Sequence, residues 1–295
     1  MAAPHLKIVP DVESDEEELE ALDELVVTEE DEGHLRPPSP ALLALEARAV
    51  LELGWFVQSL PLLSLTPRGD GHPVLVLPGF TAGDLSTVPL RRFLETRGFH
   101  AHGWKQGRNL GMRPGLDLRM ARRLRGIHWR FGCKVSLVGW SLGGIYAREL
   151  ARQHPDQVRQ VITLGSPFRI DPNRQRSAVS AIYDRLSPTH DVSVDDLLPG
   201  MGAGHLDVPA TAIYTRTDGV VRWWQCIESV GDRRENIEVR GSHSGLGFNP
   251  AVMYAISDRL AQPAGTWSPF RAPLGFGHQF PHPADWAPDA GTVVA

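Results

Sequence analysis

The stretch LVGWSLGGIYAREL, Leu137 to Leu150, sets Ser141 among three glycines, directly after an apolar, partly β-branched run and directly before a helical pattern. Gly139-Trp140-Ser141-Leu142-Gly143 has the G-x-S-x-G spacing. Small residues two before and two after the serine permit a sharp turn from strand to helix, which lifts the hydroxyl above a sheet edge and faces it with the positive end of the helix. Five residues of this kind recur by chance, so the reading of Ser141 as a nucleophile depends on the elements and partners around it.

Outward from the serine, strand and helix signals alternate. Cys133–Gly139 reads as a buried strand and Ser141–Pro155 as the helix after it, ended by proline. Pro73–Gly79 reads as an earlier strand, and Thr87–Gly98 as a helix with a terminal glycine. Val158–Pro167, Val208–Gly219 and Asn236–Gly245 give three more units of strand followed by turn. Such alternation implies an α/β protein with a mostly parallel central sheet and helices on both faces. The C-terminal ends of the strands then share one edge, where such folds gather their sites.

A serine hydroxyl needs a base to take its proton, and the base needs a carboxylate to orient it. His243, in VRGSHSGLG after the last predicted strand, is the strongest base candidate. Asp218, in YTRTDGVV after the preceding strand, is the strongest acid candidate. The order Ser141, Asp218, His243 is the one this strand-turn-helix arrangement uses. His190, beside Asp191, lies between strands; His154 sits at a helix end before Pro155; His72, His100 and His102 come too early in the chain. For the oxyanion of a tetrahedral intermediate, the expected donors are the backbone N–H groups of Leu142 and of Phe80, which follows Gly79 in LPGF. The side chains of Trp140, Trp223 and Trp224 are candidates for lining an acyl pocket, with packing as the alternative for each.

Together, PVLVLPGF, VSLVGWSLGGIYARELA, TLGSPF, TRTDGVV and GSHSGLG resemble the α/β-hydrolase superfamily, in particular its lipase and esterase branches and the inositol deacylases among them. The resemblance covers about Gly71 to Leu260. It implies an eight-stranded fold, serine-ester chemistry without a cofactor, a triad at Ser141, Asp218 and His243, and a lid inserted at 168–206. An acyltransferase or a cofactor-free perhydrolase would use the same triad. A non-catalytic binding protein on the same fold is a further alternative, which the full set of triad residues argues against.

Composition adds limits. Of the chain's 35 acidic and 30 basic residues, 13 and 1 lie within residues 1–32, leaving 22 and 29 beyond. Residues 1–36 are therefore expected to be a solvated acidic tail. The excess positive charge beyond it is scattered without a basic, aromatic-rich motif, so nucleic acid is not expected as a partner. Cys133 and Cys226 fit neither a disulfide framework nor a metal-ligand spacing, and no metal is expected. The N-terminus does not read as a secretory signal, which gives a cytoplasmic address as the expectation. Ala41–Leu65 is apolar and favours helix up to about Leu60, where Pro61 is expected to interrupt it. That helix would pack on the domain or contact a membrane surface through 41–60, and a small-molecule or lipid ester is the expected substrate. Residues 67–262 form the expected hydrolase domain, followed by a proline-rich extension over 263–295.

Overall fold

The structure is a computed structural model, and it describes residues 38–169, 204–229 and 231–281. The acidic tail and most of the lid segment lie outside the described residues. Six strands form one sheet: β1 (Pro73–Leu77), β2 (His100–Gly103), β3 (Val135–Trp140), β4 (Val158–Leu164), β5 (Ala210–Tyr214) and β6 (Arg234–Glu238). Their order is β2-β1-β3-β4-β5-β6, and every neighbouring pair is parallel. The six described strands are two fewer than the resemblance implies. The segment ahead of β1, rich in Ala and Leu, is helical and contributes none.

That segment consists of α1 (Pro40–Leu45), a 3-10 turn at Glu46–Arg48, and α2 (Ala49–Leu63). Ser39 caps α1 by accepting from Leu42 N–H. Two expectations need correction here. The helix is broken at Glu46–Arg48, and Pro61 does not end it, because α2 continues through Pro61 to Leu63. Proline has a helical φ and removes only the bond to the carbonyl four residues back. Pro61 lies in the last turn of α2, and Ser64 Oγ caps the end by donating to Pro61 O at 2.5 Å.

The remaining helices are α3 (Val88–Thr96), α4 (Leu116–Phe131), α5 (Leu142–Gln153) and α6 (Pro250–Leu260). Side chains alternate across each strand. Leu75 and Leu77 of β1 and Val135 and Leu137 of β3 therefore face one way, into a core closed by α4 and α5. Val74, Val76, Val138, Ile162 and Ile213 face the other way, into a core closed by α2, α3 and α6. Strands buried on both faces explain the continuous apolar runs in the sequence. Phe168 and Leu206, near the two ends of the expected lid, are buried in the first core. Phe270 and Phe280 are buried in the second, so the start of the proline-rich extension packs on the domain.

Candidate active site

From β1 the chain steps outward to β2, then returns past β1 to β3 and onward to β6. The crevice where the direction reverses lies between the ends of β1 and β3. Pro78-Gly79-Phe80 stands on one side of it and Ser141 on the other. Ser141 has φ 52° and ψ −124°, a strained conformation for a residue with a Cβ. Surrounding bonds hold it there: its N–H donates to Leu164 O at 2.8 Å, and its carbonyl accepts from Gly144 N at 2.9 Å. The turn is crowded enough to require its glycines. A Cβ at Gly139 would collide with Gly144, one at Gly143 with the Leu77 carbonyl, and one at Gly144 with Ser166 Oγ.

Leu142 is the first residue of α5, which puts its amide at the helix N-terminus beside the serine. Across the crevice, a Cβ at Gly79 would lie 3.3 Å from Ser141 Cβ, so the turn after β1 runs directly past the nucleophile candidate. Asn109 fixes that turn and was not singled out in the sequence. It is fully buried, donates Nδ2–H to Pro78 O at 2.8 Å, and accepts from Thr81 N at 2.6 Å through its carbonyl.

Asp218 and His243 are brought together by the loops after β5 and β6. His243 Nδ1 lies 2.6 Å from Asp218 Oδ2, with both side chains buried. The other carboxylate oxygen accepts from Val220 N and Val221 N, each at 2.8 Å, so the acid is held from both ends. Burial works against a charged imidazole, but the Asp218 charge and hydrogen bond, followed by the Glu46 charge, outweigh it and raise the His243 pKa above the ordinary 6.5. The pair reaches the serine turn through Gly165, the residue after Leu164. A Cβ there would lie 3.0 Å from His243 Nδ1 and 3.3 Å from Asp218 Oδ2. Trp140 adds a second link by donating Nε1–H to His243 O at 3.1 Å.

The tryptophans are tied into packing. A Cβ at Gly247 would meet the Trp140 ring, and the ring borders the second core. Trp223 stacks on Tyr214 at 5.7 Å between centroids, with the Arg216 guanidinium 4.6 Å from its ring. Trp224 is half-buried in the same 3-10 turn, Trp223–Cys226. His72 and His154 are placed away from the crevice: His72 contacts Asp70 and Ser136 Oγ ahead of β1, and His154 caps the far end of α5. His190 and Asp191 lie outside the described residues.

Three further residues at the site, Glu46, Arg48 and Glu52, are the only charged residues between Ala41 and Leu65. Glu46 Oε1 accepts from Gly219 N at 2.9 Å and His243 N at 3.0 Å, and its Oε2 accepts from Ser244 N at 2.8 Å. Arg48 donates to Thr217 O at 3.0 Å, to Thr217 Oγ1 at 2.7 Å and to Gly241 O. Glu52 accepts from Ser242 N at 2.8 Å. The usable signal was the cost of burying a charge: an ionisable residue in a helix that packs on a core must find partners there.

Beside α2 and α6 lies a cleft of about 810 Å³ whose wall includes Trp55, Leu62, Tyr254, Phe276 and Phe280. Arg48 and Glu52 border it, and Ser141 does not.

A parallel sheet carrying a strained serine at the turn from β3 into a helix, with an acid and a histidine after two later strands, is the α/β-hydrolase architecture. No family model and no curated protein matches the chain. Solved structures similar to it include lipase B from Aspergillus fumigatus, at 16% identity over 66% of this chain and 53% of that one, with a TM-score of 0.49. A pyrethroid hydrolase from Sphingobium faniae JZ-2 is 18% identical over 65% of this chain and 98% of its own, with a TM-score of 0.49. The Bacillus licheniformis lipase BlEst2 is 15% identical over 67% and 95%, with a TM-score of 0.45. The chain spans about half the length (53%) of the Aspergillus lipase.

Proposed function

We propose that the protein is a serine hydrolase of carboxylic esters. The observation that carries the reading is the buried Asp218–His243 pair, tied through the Trp140 hydrogen bond to the turn that holds Ser141 in a strained conformation. In the reaction, Ser141 Oγ attacks the ester carbonyl carbon while His243 Nε2 accepts the hydroxyl proton. Asp218 stabilises the imidazolium through Nδ1–H. The Leu142 and Phe80 amides donate to the oxyanion. Collapse of the tetrahedral intermediate breaks the ester C–O bond, and His243 returns its proton to the leaving alkoxide, leaving an acyl-serine. Water, deprotonated by His243, then attacks the acyl carbon; collapse breaks the bond to Ser141 Oγ, which takes the proton back from His243, and the acid is released. No step requires a cofactor. The test is turnover of p-nitrophenyl esters of increasing chain length by wild type and Ser141→Ala. The reading predicts a loss of several orders of magnitude in kcat without loss of folding, and undiminished turnover in the variant would refute it.

The lipase form of this reading includes contact with a lipid surface through 41–60. Leu43, Val50, Leu51, Trp55 and Val57 are each more than half exposed, and no exposed residue between 41 and 65 is charged. Such a face suits a neutral, zwitterionic lipid surface. Sedimentation with phosphatidylcholine vesicles should carry the protein into the pellet, and a protein left wholly in the supernatant would contradict the contact. Lipid deacylation of the inositol-deacylase kind is a narrower version of the same chemistry, and hydrolysis of a lipid ester in those vesicles tests it.

A further inference from the structure

We propose that Glu46 is a positioning residue for the reaction, a carboxylate supplied from ahead of the sheet that locks the acid loop and the histidine loop to one another. The inference rests on the triad reading above. The loops after β5 and β6 carry Asp218 and His243, and the imidazole must point at Ser141 while staying bonded to the acid. A single carboxylate bridges them. Glu46 Oε1 takes the amide of Gly219, next to the acid, and also the amide of His243 itself, while Oε2 takes the amide of Ser244. Movement of either loop relative to the other breaks a bond to Glu46. These bonds outweigh desolvation and hold the Glu46 carboxyl below its ordinary range, so it is charged wherever the imidazole is a working base.

Neighbouring residues of the same segment brace this lock. Arg48 joins Thr217 of the acid loop to Gly241 of the histidine loop, and Glu52 holds Ser242. The break in the helix at Glu46–Arg48 is where two of these three residues sit. Close packing leaves the lock no slack: a Cβ at Gly219 would meet the Leu42 carbonyl, and one at Gly245 would meet Glu52 Oε2. The charges that face His243 are Asp218 on its ring and Glu46 under its amide, with the Arg48–Glu52 pair one turn further along the segment. Behind Asp218 lies Cys226, whose buried thiol is pushed well above its ordinary range and stays neutral.

Glu46→Gln removes the charge and turns an amide donor toward a backbone donor. Glu46→Asp keeps the charge but is one methylene too short to span the three amides. Both should lower kcat for a soluble p-nitrophenyl ester about ten- to a hundredfold with little change in KM, as misalignment by a fraction of an ångström does. Fluorophosphonate labelling of Ser141 should slow in parallel. The pH profile of kcat/KM separates positioning from bulk stability: its acid limb should move to lower pH in Glu46→Gln and stay in place in Glu46→Asp. Wild-type kcat and limb position in Glu46→Gln, or loss of folding in both variants, would overturn the proposal. Ser141→Ala, assayed alongside, distinguishes the failures: if it retains turnover, the triad reading itself is wrong, whatever Glu46 does.

Discussion

Ser141 keeps a backbone conformation that glycine would adopt without strain, so Ser141→Gly should abolish labelling while raising stability. Relief of the strained conformation contributes about 1–3 kcal/mol, against about 0.5–1 kcal/mol for the added freedom of the unfolded glycine. Thermal unfolding measures the net, and a lower Tm in the variant would contradict the strain. Gly144→Ala should act oppositely, because its Cβ would have to displace Ser166 Oγ inside a packed turn. The histidine also makes a prediction. Its raised pKa places the acid limb of kcat/KM above 6.5, since the imidazolium cannot accept the serine proton. A limb below 6.5 would mean that desolvation outweighs the Asp218 charge. For Glu46, whose pKa is lowered, stability is gained above its ordinary 4.5 and lost as pH falls through the folded value. The Tm gap between wild type and Glu46→Gln should therefore narrow in acid, and a gap constant from pH 7 down to pH 3 would rule the linkage out.

At the scale of elements, what was legible follows from periodicity and from how much each element buries. β1, β3, β4 and β5 are buried along most of their length and read as apolar runs. β2 is HAHG at a sheet edge, with one buried residue, and carries no such signal. α4 buries Leu116, Met120, Leu124 and Ile127, a helical spacing present in the sequence but dispersed among six basic residues including His128. The first helical segment was legible as helix, but its geometry was not. A propensity sum has no means of registering that the residue at the break, Glu46, is bonded to a backbone amide 197 positions away. Its exposed face gives a prediction at this scale. Replacing Leu51 and Val57 with Ser should weaken vesicle binding, since burying each side chain contributes about 1.5–3 kcal/mol, while turnover of a soluble ester stays as in wild type. Unchanged binding to phosphatidylcholine vesicles would mean that another surface makes the contact.

Across the whole molecule, the site is assembled from four regions: the turn after β1, the turn after β3, the pair of loops after β5 and β6, and the segment ahead of the sheet. The first three were legible because each follows a strand whose signal is local. The fourth was not, because its contribution is tertiary hydrogen bonding that no local pattern encodes. Removal of residues 1–36 leaves Ser39, Glu46, Arg48 and Glu52 in place, so a chain beginning at Pro37 should keep its Tm and its turnover of a soluble ester. A chain beginning at Thr66 loses the lock and the buried Phe56 and Leu63, and should be inactive. Equal activity in the two truncated proteins would show that the segment has no part in catalysis. The central claim, that Ser141 is an activated nucleophile served by His243 and Asp218, is tested most directly by fluorophosphonate labelling followed by peptide mapping. The account predicts one adduct, on Ser141, formed rapidly by wild type, slowly by His243→Ala and Asp218→Asn, and not at all by Ser141→Ala. An adduct on another residue, or labelling of Ser141 at an undiminished rate without His243, would contradict it.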